Sequence, residues 1–208
     1  MAYLVLVRHG LSEYNKKGLW AGWTDVSLAD DGREEAKKTA ETLRDLHFDV
    51  GFTSVLSRAK ETLEIIKREL KQPDLLTIEA PFLNERNYGD FSGKNKWEIK
   101  KRLGDAEFKK LRRGWSYPIP HGESLMQVYD RVVPYFLATI LPYLMTNKNV
   151  IISSSGNTLR ALVKYLENIS DDAISDLEIG TGEAYVYQLD MNGTVLNKEI
   201  RAVNTTSV

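Results

Sequence analysis

The apolar positions of this chain fall into two kinds of run, and their alternation predicts the architecture. Tyr3 to Val7 is a continuous β-prone stretch, the pattern of a strand buried on both faces of a parallel sheet. Val50 to Thr53, Leu75 to Ile78 and Asn149 to Ile152 repeat that pattern in short form. Between them apolar residues recur at helical spacing. Ala36, Ala40 and Leu43 follow an opening Asp30-Asp31-Gly32, and Ala59, Leu63, Ile66 and Leu70 stripe a helix from Arg58 to about Leu70. Gly10 to Leu28, polar with Gly and Trp, is expected to be a long loop. The order β-loop-α-β-α-β predicts an α/β fold of three layers, a mainly parallel central sheet with helices on both faces.

Periodicity weakens between Pro81 and Gly122, where Asn, Gly, Lys, Arg and aromatics dominate. Two short helical stretches, near Lys96 to Leu103 and Asp105 to Arg112, mark this segment as a lid or insertion at about 82–122. A long amphipathic helix is expected from Ser124, with Leu125, Val128, Val132 and Phe136 inward and Pro134 and Pro142 kinking or segmenting it. The Ser153 to Asn157 segment leads into a helix carrying Leu159, Leu162, Val163 and Leu166. A final hairpin should turn at Asn192-Gly193, and the tail from Asn204 should fray. The length of 208 residues suits one domain over 1–208.

Composition removes several chemistries. Without cysteine there is no disulfide, thiolate zinc site or cysteine nucleophile. Three histidines permit a catalytic imidazole but argue against a multi-histidine metal site, and no metal is expected. No run approaches the ~18 apolar residues of a membrane span, and Tyr3 to Val7 runs directly into Arg8 and His9, as a strand does and a signal peptide does not. A cytoplasmic protein with no membrane partner is expected, for which the glycosylation triplets at Asn168 and Asn204 carry no weight. The net charge of −1 conceals an asymmetry: Lys94 to Arg113 carries nine Lys/Arg against three Asp/Glu. A basic lid over an anionic substrate accounts for it without nucleic acid, since alternating charge on helices is usually a solvated face.

Polar clusters stand where strands end: Arg8-His9-Gly10 with Ser12 and Asn15, Thr53-Ser54 running to Arg58, Asn84-Glu85-Arg86-Asn87-Tyr88, and Ser155-Gly156-Asn157. In open α/β sheets the crevice outside the carboxyl ends of the strands is where ligands bind, so the four can converge on one pocket. Arginines with backbone N–H groups at helix starts describe a phosphate site. His9 is the candidate nucleophile, Glu85 the general acid and base, and Arg8 and Arg58 the holders of the phosphoryl oxygens.

Order and spacing then carry a resemblance. Leu-Val-Arg-His-Gly-x-Ser-Glu-x-Asn from Leu6 to Asn15, Gly22-Trp23-Thr24-Asp25, Thr53-Ser54 with Arg58-Ala59, Glu85-Arg86-x-Tyr88-Gly89, Asn95-Lys96, Arg112-Arg113 and Gly156-Asn157-x-Leu159-Arg160 resemble the histidine phosphatase superfamily. Within it they are most similar to the 2,3-bisphosphoglycerate-dependent phosphoglycerate mutases. The resemblance implies exchange of 3- and 2-phosphoglycerate through phospho-His9, with 2,3-bisphosphoglycerate as phosphoryl donor, Glu85 as proton donor and Arg8 and Arg58 on the phosphoryl group. It also implies phosphate or carboxylate contacts from Ser12, Asn15, Ala21, Gly22, Arg86, Tyr88, Lys96, Arg112, Arg113, Gly156 and Asn157, and a possible homodimer.

Two departures accompany the match. The family's second active-site histidine is Ser155 here, with His121 the one candidate for a replacement donor. Only nine residues separate Arg113 from Glu123, a shorter lid than in the bacterial mutases. A small-molecule phosphatase and an inactive phosphoglycerate-binding relative therefore stand as alternatives.

Overall fold

The computed structural model describes residues 1–202. Six strands form one sheet: β1 (Ala2–Arg8), β2 (Val50–Thr53), β3 (Thr77–Glu79), β4 (Val150–Ser154), β5 (Ala184–Leu189) and β6 (Val195–Arg201), in the order β3-β2-β4-β1-β5-β6. The four strands from β3 to β1 are mutually parallel, whereas β5 runs antiparallel to β1 and β6 to β5. The expected mainly parallel sheet is thus present, closed at one side by the Asn192-Gly193 hairpin.

The strand residues sort by parity, which is why the apolar runs are continuous. Leu4 and Leu6 join Phe52 and Ile152 in a core beneath α6 (Leu125–Tyr135) and α8 (Gly156–Leu166). Val5, Val7 and Ile151 face the other way, against α2 (Asp30–Thr42) and α3 (Ser57–Glu69). A strand covered on both faces leaves room for a polar side chain only where a hydrogen-bond partner meets it.

Several boundaries differ from expectation. The Gly10 to Leu28 loop contains a one-turn helix, α1 (Glu13–Lys16), because Ser12 and Asn15 form a reciprocal capping box. β3 starts at Thr77 instead of Leu75, since Leu75 still belongs to the turn after α3, its N–H bonding Gln72 O. β4 continues through Ser153 and Ser154, whose hydroxyls donate to Ala59 O (2.9 Å) and Leu83 O (2.6 Å) and so are tolerated in the core. The helix from Ser124 gives way after Tyr135 to a π turn over Phe136–Ile140 and a short α7 (Leu141–Met145), as its two prolines require. The tail from Asn204 lies outside the described residues.

The lid helices α4 (Lys96–Leu103) and α5 (Asp105–Arg113) are those expected. They cover a small core of their own, in which Ile99, Phe108 and Leu111 surround Trp20 and Tyr88. Backbone hydrogen bonds from Trp20 to Lys94 and from Lys96 to Gly18 join the lid to the first loop. No helix among the described residues is long and apolar enough to cross a membrane.

Candidate active site

The parallel strands deliver their polar ends to one edge. Arg8 stands opposite Ser154 in the β1–β4 ladder, and Thr53 opposite Ser153 in the β2–β4 ladder. Beyond that edge lies a cleft. Its walls include Arg8, His9, Asn15, Ala21, Gly22, Arg58, Glu85, Tyr88, Lys96, Arg112, Arg113, Gly156 and Asn157, brought from separated stretches of sequence.

His9 follows β1 and is held by main chain on both sides. Its N–H continues the ladder to Ser154 O (2.9 Å), and the next residue, Gly10, packs so closely on α2 that a Cβ there would sit 2.1 Å from Gly32 O. The Nδ1–H donates to Gly10 O (2.7 Å), which leaves the Nε2 lone pair available. Burial, reinforced by Arg58 and Arg8, holds the imidazole pKa well below the usual histidine range, so the ring is neutral at pH 7.

Arg58 opens α3, whose first turn is fixed by Asp25 accepting from the N–H and hydroxyl of Ser57 (both 2.7 Å). Its guanidinium reaches back to Thr24 O (3.0 Å) and Gly22 O (2.8 Å), shaping the loop that also contributes Ala21. Glu85 sits against the start of α8, accepting from the N–H of Asn157 (3.2 Å) and of Arg86 (2.7 Å). Asn157 in turn donates to the Tyr88 hydroxyl (2.9 Å).

The cations are crowded and dry. Burial lowers the pKa values of Arg8, Arg58 and Arg112, although each remains a cation at any ordinary pH. Lys96 is depressed to about 7 by burial together with Arg112 and Arg8. Arg8 Nε and Ser155 Oγ are buried with no hydrogen-bond partner. A site of this kind favours an anion that supplies acceptors to several donors at once.

Three of the expected site residues do not line the cleft. Arg86 is fully buried and gives its donors to Glu123 O (2.5 Å), Leu111 O (3.0 Å) and Tyr117 O (3.3 Å). Its donors join the end of α5 and the segment after it to the Glu85 loop, where buried main-chain carbonyls need donors. Ser12 is buried in the cap of α1, bonded to Asn15 (2.8 Å), and acts only through Asn15. Ser155 lies beneath the surface at the start of α8 without capping it. His121 is exposed and paired with Asp90 (2.9 Å), outside the cleft, so it supplies no replacement for the second histidine.

The cleft also contains residues that were not expected: Leu19, Trp20, Arg160, Glu178 and Ile179. Arg160 was legible in the Gly-Asn-x-Leu-Arg motif. It bonds Asn157 Oδ1 (2.9 Å), Arg113 O (2.8 Å) and Ile174 O (2.7 Å), tying α8 to the end of the lid. Glu178 had no local signal, since its segment is irregular and more than sixty residues from Arg113. Among the described residues, no group of His, Cys, Asp or Glu could hold a metal ion.

Fold and cleft define a class: an α/β protein with an anion site built around a neutral histidine at the carboxyl edge of its sheet. The histidine phosphatase superfamily (branch 1) matches residues 4–200, and the chain belongs to that family. Curated relatives include a 2,3-bisphosphoglycerate-dependent phosphoglycerate mutase of Parvibaculum lavamentivorans, 45% identical with 95% of each chain covered. A phosphoglycerate mutase of Schizosaccharomyces pombe is 43% identical, covering 95% of this chain and 94% of its own. Among solved structures, Bacillus stearothermophilus YhfR superposes with a TM-score of 0.80 at 24% identity over 94% of both chains. A mycobacterial glucosyl-3-phosphoglycerate phosphatase does so with 0.77 at 22% identity, over 96% and 97%. These two likenesses concern the fold.

Proposed function

We propose that this chain interconverts 3- and 2-phosphoglycerate through a phosphohistidine at His9. The observation that carries the proposal is the company His9 keeps: a neutral imidazole with a free Nε2, in one cleft with Glu85, Tyr88, Lys96, Arg112 and Arg113. The near-full-length likeness to proteins named phosphoglycerate mutase supports the same substrate.

Starting from phospho-His9, Glu85 takes the proton of the free glycerate hydroxyl as that oxygen attacks phosphorus and the bond from phosphorus to Nε2 breaks, which leaves both glycerate oxygens phosphorylated and His9 neutral. In the second half-reaction Nε2 forms a bond to the other phosphorus while the bond from that phosphorus to its ester oxygen breaks, and Glu85 gives the proton back to the leaving oxygen, which restores phospho-His9. Arg8 and Arg58 face the phosphoryl oxygens and stabilise the charge spread over them in the transition state. Lys96, Arg112 and Arg113 are left for the carboxylate and the second oxygen site, with Asn157 and Tyr88 orienting the glycerate. The donor set supports 2,3-bisphosphoglycerate, since Arg8 Nε, in the cleft wall, is a buried donor without an acceptor. When bound, that cofactor supplies the phosphoryl group that primes His9.

Ser155 is a short neutral side chain beneath the cleft surface where the resemblance puts an imidazole. By analogy with loss of one oxyanion-hole donor, turnover is reduced by about 10²–10³ relative to a histidine there. Incubation with 2,3-bisphosphoglycerate should add one phosphate to His9, read by mass spectrometry, and Ser155→His should raise isomer exchange by at least tenfold. Absence of both phosphohistidine and gain would remove the proposal. A phosphatase reading draws on one observation, the nine residues between Arg113 and Glu123, which leave water better access than a long lid would. Phosphate release measured beside isomer exchange on 3-phosphoglycerate separates the two.

A further inference from the structure

The cleft has two carboxylates, and the reaction above uses only Glu85. Glu178 enters from the irregular segment before β5, and the main chain on both sides of it is tied to cleft arginines. Leu177 O accepts from Arg113 Nη1 (3.2 Å), and Ile179 O accepts from Arg8 Nη1 (2.5 Å). The Glu178 carboxylate pairs with the other nitrogen of the Arg113 guanidinium. Burial would raise the Glu178 pKa, but Arg113, Arg112 and Arg8 outweigh it and keep the group an anion through the neutral range.

Its place in the cleft is defined by what lies behind it. Arg112, Arg113 and Glu178 also line a second groove, with Lys109 and Asp176, that does not contain His9. The Arg113–Glu178 pair therefore stands at the wall between cleft and groove, whereas His9 lines the cleft alone. A ligand phosphorylated at the His9 end must present its other end to a pair already neutralised from within. A carboxylate there meets modest repulsion from Glu178, and a second, doubly charged phosphate meets about twice as much.

We propose that Glu178 is a charge-specificity residue: by occupying Arg113 it biases the cleft toward monophosphate esters and against bisphosphates. This rests on the proposed function for which end of the ligand faces His9, and it assigns Glu178 the strength with which the bisphosphate is held between half-reactions. A protein so equipped needs more 2,3-bisphosphoglycerate to stay primed than one with a neutral side chain at the same place.

Calorimetric titration of the native chain and of Glu178→Gln with inorganic phosphate, 3-phosphoglycerate and 2,3-bisphosphoglycerate tests the assignment at fixed ionic strength. Repeating both titrations in a His9→Asn background removes heat from phosphoryl transfer. Removing the charge should tighten phosphate least, by about twofold, 3-phosphoglycerate by about threefold and the bisphosphate by about tenfold or more. Glu178→Asp, which keeps the charge, should retain the native ranking. Equal gains for all three ligands, or a loss of affinity because Arg113 is no longer held, would overturn the assignment. The Glu178 side chain is half-exposed, so the variant should fold as the native chain does, which a melting curve checks. The ranking is read without turnover, so absence of phosphohistidine in the mutase test leaves it intact, and failure of the ranking leaves the mutase reading intact.

Discussion

Lys96 illustrates how the site works at the scale of one residue. Its ammonium, buried among arginines, has a pKa of about 7, far below that of a lysine in water. The free protein therefore loses this charge as pH rises through neutrality, while a bound anion restores it by stabilising the protonated form. The sign follows: binding takes up a proton above pH 7, and affinity falls as pH rises. Relative to Lys96→Arg, which stays charged throughout, the native chain should lose about tenfold in affinity for 3-phosphoglycerate between pH 7 and pH 9. Titrations in buffers of different ionisation enthalpy would report the proton uptake. An unchanged ratio across that range would show that Lys96 does not face the ligand. The residue type was legible in the Asn-Lys motif, but its depressed pKa was not, because it arises from burial in the folded protein, with Arg112 and Arg8, brought near by the fold, adding to it.

At the scale of elements, the loop that carries His9 is shaped by two glycines in contact. A Cβ at Gly32 would lie 2.1 Å from Leu11 O and 2.6 Å from Leu11 N, so α2 approaches the His9 loop as closely as main chain allows. Gly32 lies inside the first turn of α2, and a helix alone would prefer alanine there. Gly32→Ala should nonetheless destabilise the fold by about 1–3 kcal/mol in urea unfolding, through overpacking. Its turnover should fall further than that of a surface helix variant of equal stability, because the shift moves the His9 loop. The sequence marked this glycine only as part of a helix start. The lid shows a similar limit: its two helices were readable from pattern, whereas the aromatic packing of Trp20 with Tyr88 and Phe108 beneath it was not. The main-chain partners of Arg86 were not readable for the same reason, since a guanidinium that binds carbonyls and one that binds a phosphate look alike in sequence.

At the scale of the whole molecule, the sheet brings dry cations together at one edge, and that concentration costs stability that an anion can restore. Inorganic phosphate at about 100 times its dissociation constant should stabilise the native state by about 2.7 kcal/mol. For a chain of this size the melting temperature should rise by about 5–10 °C in differential scanning calorimetry. Sodium chloride at matched ionic strength should reproduce little of the shift, and equal effects of the two salts would argue against a defined phosphate site.

The sequence by itself determined the order of strands and helices, the double-sided burial of the parallel strands, and the histidine, glutamate and most of the arginines of the cleft. These are carried by local periodicity and by short motifs whose chemistry belongs to the residue type. Only the tertiary structure decided which of the charged residues meet. It set Arg86 and Ser12 to hold loops, left Ser155 beneath the surface, and placed Glu178 against Arg113. Such pairings depend on where the sheet order and the irregular segments bring distant main chain together, and no local pattern in the chain records that.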